Sequence, residues 1–217
     1  FTNHTTSQTT TYGYGPGQER VRIAASGSTR RIFGELLETT DSAGNAEVRF
    51  YYAGAIRVAM KDATGTYFYH YDHLGSVRLV TDQSGVQVAT KDFLPFGETF
   101  GGTGSVAGNP YDFAGHRTDT ESGLIYMNAR YYDPEMGRFI SPDRVVPDVT
   151  RPQSLNPYSY AYNNPISNVD PSGHAPVIGV VLAGLLSSLS IGFSASTAAM
   201  QAVIWTGVPM SVAGFAL

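Results

Sequence analysis

Pairs of aromatic or apolar residues recur at Tyr12, Ile32, Tyr51, Tyr69, Phe93 and Tyr111, at spacings of 20, 19, 18, 24 and 18 residues. A period of about twenty residues is too short for a domain and matches one supersecondary unit, so it restricts the chain to a stacked repeat. Most units place a glycine shortly after the aromatics, as in YGYGPGQERVRI, FYYAGAIRVAM, FYHYDHLGSVRLV and YDFAGHR, and then alternate polar with apolar residues. That alternation, seen at 76–81 (SVRLVT), is the period of a half-buried strand. The intervening DSAGN (41–45), DATG (62–65) and DQSG (82–85) read as hairpin turns, in which Asp bonds the backbone and Gly takes a positive φ. Each unit is thus expected to be one β-hairpin, and the fold class all-β. A few hairpins leave an open edge near Phe1, so further repeats are expected upstream.

At 217 residues the chain can form one large domain or two small ones around a buried core. Charged residues are only 15% of it, and its 24 glycines and 14 tyrosines suit β-structure with tight turns. With a net charge of −4 and no basic cluster denser than Arg30-Arg31, the footprint of a nucleic-acid binder is missing. The lack of cysteine removes disulfides, thiol nucleophiles and cysteine metal sites, while leaving the compartment open. A start at Phe1, without Met, a basic n-region or an apolar h-region, reads as the start of a fragment. In the cluster His70, Asp72 and His73, strand alternation sends His73 to the face opposite the other two, so metal ligation is not expected. The segment GGTGSVAG (101–108) lacks the G-x-x-x-x-G-K-S/T pattern of a phosphate-binding loop and any following helical periodicity, and reads as a flexible linker. No cofactor is expected.

The stretch 129–173 is dense in Tyr, Pro, Asn and Gly and carries Asp143 and Asp170, 27 residues apart. Taken by themselves, Ser141-Pro142-Asp143 and Asp170-Pro171-Ser172-Gly173 are ordinary turns. Brought within hydrogen-bonding distance, however, two carboxylates cannot both ionise: one keeps a proton and donates while the other activates water, which is the chemistry of an aspartic protease.

The segments YHYDHLGSVRLVTDQSGVQVATKDFLPFGE (69–98), YDFAGHRTDTESGLIYMNARYYDPEMGRFISPDR (111–144) and NPYSYAYNNPISNVDPSG (156–173) occur in an order that resembles the core domain of RHS/YD-repeat proteins, over roughly residues 12–174. That family includes bacterial polymorphic toxins and the C component of insecticidal toxin complexes. The resemblance implies hairpin repeats at 1–68 spiralling into a hollow β-shell, a core domain at 69–174 closing one end, and a region from 175 that begins an enclosed toxin released by self-cleavage. It also implies a secreted or cell-surface bacterial protein, partnered by its upstream repeats, its own cargo and secretion-system or toxin-complex components. Family aspartates after the GRF motif and within DPxG map onto Asp143 and Asp170, with the scissile bond at His174-Ala175. Asp143 is followed by Arg144 where the family has Pro, and His174 stands where the family has Leu. Asp148, in the loop 145–156, is the substitute for Asp143, and Arg138 and Arg144 are candidates to orient a carboxylate. A non-catalytic cell-surface or adhesion scaffold, anchored by its tail, is the alternative.

The tail, 175–217, has no charged residue. Its apolar runs 176–193 and 197–217 have 18 and 21 residues, close to the length that spans a bilayer. An apolar helical hairpin fits, either as a cargo that inserts into a target membrane or as a pair of helices buried against the core domain.

Overall fold

The structure is a computed structural model that describes residues 2–3, 8–17, 19–25, 27–41, 46–144, 150, 152–174 and 176–178. A short pair, β1 (Thr2–Asn3) and β2 (Gln8–Thr9), precedes the main sheet. That sheet contains β3 (Thr11–Tyr14), β4 (Arg20–Ala25), β5 (Ser28–Phe33), β6 (Leu37–Asp41), β7 (Ala46–Ala53), β8 (Ile56–Lys61), β9 (Thr66–Tyr71), β10 (Val77–Asp82), β11 (Gln87–Phe93) and β12 (Thr99–Gly104). Its ten strands pair antiparallel in sequence order, so every neighbour is a hairpin partner, as the repeat predicts.

The turns form as their sequences direct. Asp62 Oδ1 accepts the backbone N–H groups of Thr64 and Gly65, and Asp82 Oδ1 accepts those of Ser84 and Val86. The turn at 42–45 lies outside the described residues, between paired strands β6 and β7. Alternation sorts the faces: in β7, Val48 and Phe50 are buried while Arg49 and Tyr51 are exposed. Val48 and Phe50 join Met60, Tyr69, Val77, Val80 and Tyr111 in one apolar cluster.

The glycines expected to form a linker are instead strand residues: Gly101, Gly102 and Gly104 lie in β12, paired with β11. A Cβ on Gly104 would come within 2.1 Å of the Val88 carbonyl oxygen. Here glycine permits close backbone approach rather than slack.

After β12 the chain folds into a four-stranded antiparallel sheet of β13 (Arg117–Asp119), β14 (Leu124–Met127), β15 (Arg130–Asp133) and β16 (Arg138–Phe139). Then β17 (Asn168–Val169) pairs with β18 (Val177–Ile178). A second cluster, including Phe113, Ile125, Met127, Tyr132, Phe139 and Tyr160, packs behind these strands. Residues 161–163 are consecutively left-handed without glycine, and Asn168 Nδ2 donates to the Ala161 carbonyl oxygen within this segment. Among the described residues no helix is long and apolar enough to cross a membrane, and 179–217 lie outside them.

Buried arginines join the two sheets. Arg20 of β4 makes a bidentate pair with Asp119 of β13, at 2.5 and 2.9 Å, and lies 4.3 Å from the centre of the Tyr126 ring. Arg117 of β13 reaches back to Glu38 of β6, while the partly buried Arg57 of β8 stacks 3.1 Å from the centre of the Tyr111 ring, in the connection between the sheets. Asp119→Ala removes the carboxylate and leaves the Arg20 charge buried, so it is expected to destabilise the protein by about 3–5 kcal/mol. A drop in the urea midpoint with an unchanged slope is the readout.

Candidate functional site

The site is built around a residue that strand alternation turns inward. In β15, Arg130 and Tyr132 face the interior while Tyr131 and Asp133 are only partly covered. A guanidinium is a rigid fork of donors, and Arg130 uses it to bind three segments. Its Nε donates to the Gly173 carbonyl oxygen, and Nη1 donates to the Pro157 carbonyl oxygen at 2.9 Å. Its Nη2 lies 2.9 Å from Asp143 Oδ2 and 3.6 Å from Asp170 Oδ2. The Phe139 ring, 3.6 Å from Cζ, backs the group. The side chains are nearly sealed: Arg130 is 5% exposed, Asp143 5% and Asp170 1%.

Asp170 leaves β17 into the turn 170–174. One of its oxygens, Oδ1, accepts the backbone N–H of Ser172, Gly173 and His174 at 3.3, 2.9 and 3.1 Å. That is the turn read from the sequence, and it leaves Oδ2 to face Arg130. The turn is stitched to the β14–β15 connection, since Ala129 N donates to the Ser172 carbonyl oxygen and Asn128 Nδ2 to the Pro171 carbonyl oxygen. Gly173, at φ +77°, has no room for a Cβ, which would lie 2.1 Å from the Met127 carbonyl oxygen.

Asp143 is placed by its backbone N–H, which donates to the Pro157 carbonyl oxygen at 2.8 Å. Its Oδ1 meets His174 Nδ1 at 2.8 Å. Arg130, Asp143, Ser154, Pro157, Tyr162 and His174 help line a cavity of about 20 Å³, the size that holds one water.

Burial raises the pKa of Asp170 above its ordinary value, against the opposing pull of Arg130 and the turn N–H groups. Burial also lowers that of Arg130, though a guanidinium stays charged in a protein. Behind the site, His116 Nε2–H donates to the Asp170 carbonyl oxygen at 3.0 Å, and burial pushes the imidazole down to about 4.

Asp143 and Asp170 therefore meet on one nitrogen, and His174 joins them. Arg138 and Arg144, the arginines proposed from the sequence to orient a carboxylate, are placed differently from Arg130. Both are exposed, Arg138 sits 3.9 Å from Met136 Sδ, and the cation between the carboxylates is Arg130. Asp148 and Ala175 lie outside the described residues. His70, Asp72 and His73 have separate partners: Thr81 Oγ1, the backbone N–H groups of Leu74 and Ser76, and the Ile166 carbonyl oxygen.

The family model described as Teneurin YD-shell matches residues 42–166. The tRNA nuclease WapA of Bacillus subtilis (strain 168) is 32% identical over 172 residues, covering 76% of this chain and 7% of that protein. The toxin protein Tse5 of Pseudomonas aeruginosa is 36% identical over 110 residues, covering 49% of this chain and 8% of that protein. Among solved structures, the crystal structure of TcdB2-TccC3 aligns with a TM-score of 0.64 at 21% identity, over 76% of this chain and 9% of that one. A Photorhabdus luminescens Tc holotoxin pore with substituted TccC3 aligns with a TM-score of 0.64 at 22% identity, over 78% and 9%. Matches at this identity carry the fold. The chain spans less than a tenth of the length of each of these two relatives.

The depressed His116 value sets a pH dependence of stability. The folded pKa of about 4 lies below the ordinary 6.5, so the contribution is fully present above pH 6.5 and fades as the pH falls towards 4. By linkage it amounts to about 3 kcal/mol. Denaturant titrations at pH 7 and pH 4 are expected to show this loss in the wild type and a smaller one in His116→Gln, which keeps a donor for Asp170 but does not titrate.

Proposed function

The chain belongs to the teneurin YD-shell family, and from that premise we propose that it is the C-terminal part of an RHS-type toxin-encapsulating shell that cuts itself once between His174 and Ala175. Residues 1–68 are hairpin repeats and 69–174 the core domain, sharing the main sheet, and 175–217 begin the enclosed cargo. The observation that carries the reading is the convergence of Asp143 and Asp170 on Arg130 Nη2, beside a turn whose Gly173 carbonyl the same guanidinium holds.

The roles follow from the surroundings. Arg130 and His174 both lie within bonding distance of Asp143, and in this reading Asp143 is the base. Asp170 is pushed towards its protonated form by burial and is the acid. Asp143 takes a proton from water as its oxygen attacks the His174 carbonyl carbon, and Asp170 protonates the developing oxyanion. Collapse breaks the C–N bond as Asp143 passes its proton to the Ala175 nitrogen and a hydroxyl of the tetrahedral intermediate returns one to Asp170. The products are a His174 carboxylate and an Ala175 amine, with one water consumed.

In this reading the freed tail is a toxin or membrane-active segment held noncovalently until delivery from a secreted or surface-exposed shell, with toxin-complex components as partners. Asp170→Asn keeps an oxygen for the turn N–H groups and removes the acid. It is expected to slow cleavage by about 100-fold or more, measured by intact mass and N-terminal sequencing of the full-length protein. A wild-type chain that folds and stays uncut would sink the reading and leave the non-catalytic scaffold.

A further inference from the structure

We infer that His116 is a positioning residue for this cleavage, fixing the backbone of Asp170 and tying that acid to the main sheet. The inference rests on the cleavage reading and adds to it a side chain from outside the stretch 129–173 that carries the two aspartates.

The peptide unit between Asp170 and Pro171 has no N–H, because proline lacks one. Its carbonyl oxygen is the hydrogen-bonding group it has to offer, and His116 Nε2 lies 3.0 Å from it. A carbonyl only accepts, so Nε2 carries the proton. Both residues are buried. Burial also holds the imidazole neutral at neutral pH, so the ring contributes a hydrogen bond to Asp170 and not a charge.

The donor is itself anchored. Val77 N donates to the Asp112 carbonyl oxygen at 3.0 Å, Ala114 N donates to Ser76 Oγ at 3.1 Å, and Lys91 Nζ meets Asp112 Oδ2 at 2.7 Å. The segment that presents His116 is thus pinned to the main sheet at β10 and β11. Asp170, by contrast, follows β17, a strand of only two residues with little ladder of its own. His116 lends it the order of the larger sheet.

Asp170 is then held from two sides: Oδ1 closes the turn ahead of it, and His116 takes its carbonyl behind. Its Oδ2 stays 3.6 Å from Arg130 Nη2. Placement of reacting groups is worth orders of magnitude in rate, and a displacement of about 1 Å costs about 100-fold. An apolar side chain at 116 could fill the space but could not hold the carbonyl.

The test is a time course of cleavage after dilution of the full chain from denaturant, for wild type, His116→Leu and His116→Gln, each at a temperature well below its own measured melting temperature. The leucine chain is expected to cut at least 10-fold more slowly. Glutamine, whose Nε2 reaches about as far from the main chain as the imidazole Nε2, is expected to recover most of the rate. Leucine cutting at the wild-type rate, with only its melting temperature lowered, makes His116 structural and overturns the inference; so does glutamine cutting no faster than leucine. In both cases the protease reading stands. A folded wild type that never cuts overturns both. Should the leucine chain fail to fold, His116→Asn takes its place: its donor lies one bond nearer the main chain, so a rate equal to that of glutamine overturns the inference.

Discussion

One guanidinium, that of Arg130, ties the C-terminal third of the described chain together. It bonds the carbonyls of Gly173 and Pro157 and faces the carboxylates of Asp143 and Asp170. Losing Arg130 would take a donor from two carbonyls and a cation from two buried carboxylates at once, each uncompensated buried group costing on the order of 1–3 kcal/mol or more. The proximity also has a chemical consequence. Two sealed carboxylates gathered on one guanidinium nitrogen favour a proton on one of them. Asp170, the more buried, is the one pushed that way.

Buried charge recurs where the two sheets meet. Arg20 with Asp119 and Arg117 with Glu38 cross from β4 and β6 to β13. Such pairs add little net stability compared with apolar packing, but a partner lost from one leaves a buried, unpaired ion. A one-residue slip of β13 would turn Arg117 and Asp119 to the wrong face together, because both lie on the same side of the strand. The pairs therefore fix where the small sheet docks, and with it where Arg130 lies.

The repeat was legible because hairpins write themselves locally, in alternation and in Asp and Gly turns. The pairing of Asp143 with Asp170 was suggested by resemblance, and the turn at Asp170 by local chemistry. Arg130 was missed for want of proximity: it precedes Asp143 by 13 residues and Asp170 by 40, and the arginines chosen, Arg138 and Arg144, were closer to Asp143. Yet a signal was present. In RYYD the period of two places Arg130 beside Tyr132 on the inward face, and an inward arginine demands carboxylates. The glycines of β12 misled because composition cannot distinguish slack from close approach. The left-handed run 161–163 has no local code, for neither Ala nor Tyr favours that conformation, and tertiary contacts hold it.

The plain reading of DPSG as a turn and the chemical reading of Asp170 as an acid exclude each other in a sequence but not in space. The carboxyl group has two oxygens: Oδ1 closes the turn, and Oδ2 meets Arg130. The same side chain thereby fixes the backbone of 172–174 and points its remaining oxygen at the other carboxylate's cation. Since Arg130 joins the DPSG turn, the loop at Pro157 and Asp143 in the segment that follows β16, the two carboxylates come together only once all three segments have docked. The arrangement of the two carboxylates therefore does not exist in any one of the three segments and arises only from their packing together.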